Sequence, residues 1–163
     1  MAEGLSKAES IAYAQKFAQQ MVQLGVNAQH LLFDQSCHSV AQAAAAINGT
    51  DDDLVKNICL VGPNDEFIIA IVKGPHRVSR KRVAKACDIA SVELASGPTV
   101  LALTGYPIGG TPSFGVNAQY LVDPAVMEQA VVYTGGGSDR ALVKIATEAL
   151  LRSNQAQVVR IRK

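Results

Sequence analysis

The sequence predicts an α/β fold: a single compact domain whose helices surround a mixed β-sheet. Short β-prone runs alternate irregularly with helical ones, which excludes a regular βαβ succession. No linker, repeat or break in composition divides the 163 residues, a length that suits one domain with a real core. An apolar content of 48% against 18% charged residues excludes disorder.

The elements follow in order. Ser6 and Glu9 form an S-x-x-E capping box that opens an amphipathic helix over 6–24. Ile11, Phe17, Met21 and Leu24 are its expected buried side, and Gly25 its stop. His30–Asp34 reads as a short strand and Ser39–Asn48 as an alanine-rich helix ended by Gly49. Asn57–Val61 and Phe67–Lys73 are strands joined by the turn-forming GPNDE, hence a hairpin. Ser79 caps a helix running to about Cys87. A strand at Ser91–Ala95 and a short helix at Pro98–Leu103 lead into a glycine loop. Tyr120–Asp123, Val131–Tyr133 and Leu142–Ile145 are strands, Thr147–Arg152 is a helical turn, and Gln157–Ile161 is a closing strand.

A net charge of +1 gives no global attraction to nucleic acid, so any such contact needs a local patch. No apolar run reaches membrane-spanning length and no signal-peptide pattern is present, so a cytoplasmic protein with no membrane partner is expected. Cys37, Cys59 and Cys87 are odd in number and widely spaced, as free thiols in a reducing compartment would be. Cys37-His38 reads as an inert thiol beside a histidine, since adjacent side chains rarely face each other. No zinc spacing, P-loop, dinucleotide fingerprint or nucleophile elbow appears, which disfavours metallohydrolase, nucleotide-binding and serine or cysteine hydrolase chemistry.

Chemistry concentrates in TGYPIGGTPSFG at 104–115, where four glycines and two prolines stand in twelve residues. Glycine admits positive φ and close approach of a ligand to backbone N–H groups, and proline stiffens the loop. Such a loop beside one cation suits an ester carbonyl or a phosphate; its plain alternative is a surface connector. Lys56, before an apolar strand, reads either as a solvated gatekeeper or as a cation whose stem lies along an apolar wall. Gly135-Gly136-Gly137 fits a bulged connection, and Asp139 a turn. Arg77, Arg80, Lys81, Arg82 and Lys85 crowd nine residues, with Arg160, Arg162 and Lys163 as a basic tail. A solvated helix face and a phosphate-binding footprint are equally compatible with that run.

In this order the segments SVAQAAAAING, LVKNICLV, SRKRVAKAC, VELA, TGYPIGGTPSFG, YLVD and YTGGGSDRALVKI resemble the YbaK/prolyl-tRNA-synthetase-associated domain family of aminoacyl-tRNA editing domains. The likeness covers most of the chain after residue 30, so that 28–163 is the family-like core and 1–25 carries an added helix. It implies a barrel-like mixed sheet and hydrolysis of the ester joining a wrong amino acid to tRNA, usually tRNA-Pro; the expectation drawn here is a deacylase acting in trans on a small amino acid such as alanine, serine or cysteine. The family's essential lysine falls on Lys56 and its functional loop glycine on Gly109, with Gly110 beside it as a further amide donor. Thr104, Gly105, Tyr106, Thr111, Pro112, Ser113, Gly135 and Gly136 are the expected substrate contacts, and Arg77, Arg80, Lys81 and Arg82 the expected tRNA contacts. Parts of 28–34 and 57–61 are expected to wall the amino-acid pocket. Ser113 stands where the family often has proline, and Ala141 near where some members carry an acid.

An aminoacyl ester is already activated, so catalysis needs chiefly a positioned water and a stabilised oxyanion. The resemblance further implies help from the vicinal ribose hydroxyl. No metal or cofactor is expected; an aminoacyl-tRNA synthetase is a further candidate partner. The rival reading is a module that holds tRNA or a synthetase without chemistry.

Overall fold

The computed structural model describes residues 4–163; residues 1–3 of the expected N-terminal segment lie outside the described residues. Helix α1 (Lys7–Leu24) begins as expected, with Ser6 and Glu9 reciprocally capped, and stops at Gly25, which is left-handed at φ 68°. Its buried stripe is Ser10, Ala14, Phe17 and Met21, at helical spacings of four, three and four. Leu24 is exposed and Ile11 only half-buried, because that stripe turns them off the contact face. Phe17 packs edge-on against Tyr106 at 5.3 Å, and the Tyr106 hydroxyl donates to Gln20 Oε1 at 2.5 Å. These contacts seat α1 on the core.

Among the described residues eight strands form two sheets. In the first, β7 (Ala141–Ala146) lies between β1 (Gln29–Leu32) and β6 (Val131–Gly135), all antiparallel. The second runs β4 (Glu93–Leu94), β2 (Val55–Val61), β3 (Phe67–Lys73), β5 (Gln119–Val122), β8 (Gln157–Val158). Its β4–β2–β3 part is antiparallel and its β3–β5–β8 part parallel, so the sheet is mixed as the sequence predicts. The strands expected at 91–95 and 157–161 are shorter, two residues each. Helices α2 (Val40–Ala46), α3 (Arg80–Ala86), α4 (Gly97–Thr104) and α5 (Thr147–Asn154) complete the described fold. The first three carry serine caps at Ser39, Ser79 and Ser96.

The sheets do not close into a barrel. Their bridge is a single parallel contact between Leu54 and Tyr133. Beyond it the chain at 111–113 occupies the gap between β2 and β6: the Thr111 carbonyl accepts from Asn57 of β2 and abuts Gly135 of β6. A wedge of backbone thus replaces the ladder that closure would need.

The parallel side is locked by Asp123, which is wholly buried after β5. Its carboxylate accepts from the N–H groups of Ala125, Ile161 and Arg162, and pairs with the Arg162 guanidinium at 2.7 Å. Burial alone would raise its pKa, but these donors outweigh that and hold it below the usual aspartate range. Replacing Asp123 with alanine leaves these donors unpaired and is expected to cost about 3–5 kcal/mol in urea unfolding. Because the native pKa is depressed, this contribution is present above the unfolded-state pKa and lost as pH falls through the native one. The variant's unfolding curves will lack that acid limb.

Candidate functional site

Helix α4 ends at Gly105, left-handed at φ 80°, whose N–H donates to the Leu101 carbonyl at 2.9 Å. Thr104 Oγ1 accepts from the Tyr106 N–H at 3.0 Å and so tightens this turn. A second turn closes between the Gly110 N–H and the Pro107 carbonyl at 3.1 Å. Gly109, at its bend, has φ 92°, a conformation that an L side chain rarely adopts. Its own N–H has no hydrogen-bond partner among the described residues.

The second glycine cluster lies directly against this loop. The Gly137 N–H donates to the Gly110 carbonyl at 2.9 Å. A Cβ on Gly110 would fall 2.3 Å from the Ser138 nitrogen, and one on Gly135 only 2.0 Å from the Thr111 oxygen. Both loops therefore require glycine because backbone meets backbone, a contact that no side chain tolerates.

Asn57 fastens the assembly to β2. Its Nδ2 donates to the Thr111 carbonyl and to Thr134 Oγ1, both at 2.8 Å, while Oδ1 accepts from Ser113 Oγ at 2.6 Å. Ser113 and Thr134 hydroxyls are also 2.6 Å apart. Since the Ser113 proton goes to Asn57, Thr134 must donate to Ser113, which closes a ring of three hydrogen bonds. A flipped amide would set oxygen against the Thr111 carbonyl, so the neighbours fix its orientation. The residue at the family's proline position is thus a buried hydroxyl with a structural task.

These elements enclose a cavity of about 460 Å³. Lys56, at the start of β2, and Gly109 both line it. Among its buried lining residues are Ala43, Leu54, Val55, Cys59, Val100 and Leu142, while the exposed His38, Leu94, Ile108 and Gly109 mark its mouth. The Lys56 ammonium has no ion pair or hydrogen bond among the described residues. Burial, and then the nearby charge of Arg77, lower its pKa from the ordinary lysine value. Burial pushes the Cys59 thiol up to about 11, against a weak contact with Thr111 Oγ1, and raises Cys37 too, helped by Asp139. Both thiols stay protonated and therefore poor nucleophiles. Among the described residues no three His, Cys, Asp or Glu side chains group as a metal site.

The structure brings together Lys56, Gly109, Thr111 and Gly135 around one space. It does not bring the others to the lining. The Gly110 N–H is engaged in the turn, which removes it as a ready oxyanion donor. Thr104, Gly105 and Tyr106 shape the helix end and the core instead. Pro112 is buried, Ser113 belongs to the Asn57 ring, and Gly136 accepts from or donates toward neighbours through backbone, with His30 Nε2 2.9 Å from its oxygen. Asp139 serves its turn, taking the Ser10 hydroxyl at 2.9 Å. Residues 57–59 wall the cavity, but 28–34 do not: β1 is the far edge of its sheet, separated by β7 from β6, whose Thr134 and Gly135 reach the lining. Their place is taken by 37–40 and Ala43. His38 is the clearest omission: a Cβ on Gly109 would lie 2.6 Å from its Nδ1. The serine cap at 39 was a signal that this segment turns into a helix beside the site. Arg77, Lys81 and Arg82 are exposed, and Arg80 pairs with Glu93 at 2.7 Å.

The sequence pattern described as "Aminoacyl-tRNA editing domain" matches residues 34–153. The chain belongs to this family. Within the editing-domain family it is 27% identical over 129 residues to the proposed Cys-tRNA(Pro)/Cys-tRNA(Cys) deacylase EbsC of Enterococcus faecalis, covering 77% of this chain and 76% of that one. It is 26% identical over 100 residues to a proline–tRNA ligase of Geotalea daltonii, covering 61% of this chain but 17% of the ligase. A crystal structure of a proposed trans-editing enzyme for prolyl-tRNA synthetase superposes with a TM-score of 0.86 at 23% identity, over 98% of this chain and 99% of the other. That likeness establishes the editing-domain fold. Among the described residues no helix is long and apolar enough to cross a membrane.

Two outcomes follow for this editing domain. Gly110→Ala forces the glycine loops apart and is expected to lower stability by about 1–3 kcal/mol, read from urea midpoints. Arg77→Gln removes a repelling charge and moves the Lys56 pKa upward, read from NMR titration of the Lys56 side chain; an unchanged midpoint would place Arg77 too far away to act.

Proposed function

We propose that the protein is an aminoacyl-tRNA deacylase that acts in trans on mischarged tRNA, with a small amino acid on tRNA-Pro as its principal substrate. What supports this reading is that Lys56 and Gly109, whose N–H has no partner among the described residues, line the same cavity. The name given to EbsC supports cysteine as a member of the substrate set, beside alanine and serine. The apolar buried walls suit side chains of that size, and a hydrophobic pocket separates neighbours differing by one methyl only weakly. Several small amino acids should therefore be removed.

In the proposed reaction a water oxygen attacks the ester carbonyl carbon and the carbonyl oxygen takes up negative charge. The Gly109 N–H donates to that oxygen, and no reorganisation is needed because the turn already holds it. Lys56 anchors the terminal phosphate or the carbonyl region through its charge. Collapse of the tetrahedral species breaks the bond to the ribose oxygen, which leaves with a proton, and the water's other proton is released to solvent. The side chains at the site supply position and charge. The ribose hydroxyl beside the ester is the group that assists the water, and the metal-free chemistry belongs to this proposal.

The test is release of amino acid from alanyl-, seryl-, cysteinyl- and threonyl-tRNA-Pro beside correct prolyl-tRNA-Pro. Lys56→Ala is expected to slow release about 10²–10³-fold, the scale of losing one electrostatic stabiliser. An unaltered rate would refute the assigned role. Tight tRNA binding with no cleavage of any ester would favour the non-catalytic module.

A further inference from the structure

Residues 160–163 are fixed to the segment that precedes α3. The Ser79 N–H donates to the Ile161 carbonyl at 2.7 Å and the Lys163 N–H to the Arg77 carbonyl at 2.9 Å, with Val78 opposite Arg162. Asp123 holds the Ile161 and Arg162 N–H groups from the other side, and Ile161 is wholly buried. This pairing sets where the remaining cations stand. Arg77 and Lys163 face each other across the antiparallel pair, and opposed residues hold their Cβ atoms roughly 5 Å apart. Lys81, Arg82 and Lys85 are exposed on α3, which starts three residues after Arg77, and Arg160 is exposed immediately before the buried Ile161.

Arg80 and Arg162 have carboxylate partners, Glu93 and Asp123. Among the described residues Arg77, Lys81, Arg82, Lys85, Arg160 and Lys163 have none. Like charges are gathered here against their mutual repulsion, in a chain whose net charge is only +1. The patch adjoins the cavity: the Gly74 N–H donates to the Leu54 carbonyl at 2.8 Å, so the segment that carries Arg77 leaves beside the start of β2, where Leu54 and Lys56 line the cavity. Neither 77–88 nor 160–163 contains an aromatic residue, so bases have nothing to stack on. Phosphates remain as the matching chemistry, and a rigid strand-and-helix frame suits the regular phosphate spacing of a duplex.

We propose that Arg160 and Lys163, with Arg77 and the exposed face of α3, form a binding surface for the duplex stem of the tRNA whose charged end enters the cavity. This rests on the tRNA reading of the cavity, but it is tested without ester cleavage. The probe is an uncharged, fluorescently labelled RNA hairpin with the sequence of a tRNA-Pro acceptor stem, and anisotropy is measured over a salt series. R160Q/K163Q is expected to weaken binding about 5–10-fold and to reduce the slope of log Kd against log salt by roughly 2, at about 0.9 per phosphate contact. Lys144→Gln, an exposed change on the other sheet, is the control for general charge and should bind as the unaltered protein does.

Equal affinity and slope in R160Q/K163Q would overturn the proposal, as would failure of the unaltered protein to bind the hairpin. The deacylase reading is judged separately. Hairpin binding that the double variant weakens, with no cleavage of any aminoacyl-tRNA, would end the deacylase reading and uphold the surface. Cleavage with binding untouched in the double variant would end only the surface.

Discussion

The site depends on two glycine loops lying backbone to backbone. Gly110 and Thr111 on one side meet Gly135, Gly137 and Ser138 on the other, closer than any Cβ allows. The Gly137–Gly110 hydrogen bond and the Asn57 ring hold them there. The same contact keeps the two sheets from joining, because loop backbone fills the gap where a ladder would run. The cavity is thus a consequence of incomplete closure: the space that Gly109 and Lys56 share lies beside that gap. Strand β2 serves both purposes, since Asn57 fastens the loop and Lys56 is its immediate neighbour. One peptide unit therefore fixes where the Lys56 backbone stands relative to the loop, and the ammonium reaches into the cavity on its own flexible stem.

Much of the fold was legible in the sequence because local chemistry and tertiary packing agree there. The Ser6–Glu9 box, Gly25, Ser79 and the GPNDE turn mark element boundaries by hydrogen bonds that a few adjacent residues complete alone. Sheet closure was not legible, since whether β6 pairs with β2 depends on residues 111–113, more than fifty positions from Asn57. The exposed Leu24 shows a smaller version of the same limit. It fits an apolar stripe, yet the stripe's true axis is set by Phe17 meeting Tyr106.

The candidate site divides in the same way. Lys56 and Gly109 stood out because an isolated cation and a residue needing positive φ are visible in a string of letters. Gly110 stood out for the same reason, but its glycine is demanded by Ser138, and its N–H belongs to a turn. Thr104 and Tyr106 read as ligand contacts by proximity to the loop, whereas they end a helix and anchor α1. His38 read only as the neighbour of an inert thiol and Ala43 only as part of a helix, because nothing in a serine-capped, alanine-rich segment declares that it crosses a cavity mouth.

Charge placement adds the last constraint. Several of the chain's carboxylates are committed to partners: Asp123 to Arg162, Asp52 and Glu128 to Lys73, Glu93 to Arg80. The near-neutral total therefore conceals an uneven surface, in which Lys56, Arg77, the cations of α3 other than Arg80, and Lys163 have no carboxylate partner among the described residues. Lys56 is partly desolvated and Arg77 repels it, so an anion brought to this place would relieve two unfavourable terms at once. The neutral thiols of Cys37 and Cys59 add no opposing charge. Under the proposed function, the apolar depth of the cavity would face the small side chain and its cationic wall the phosphate beside it.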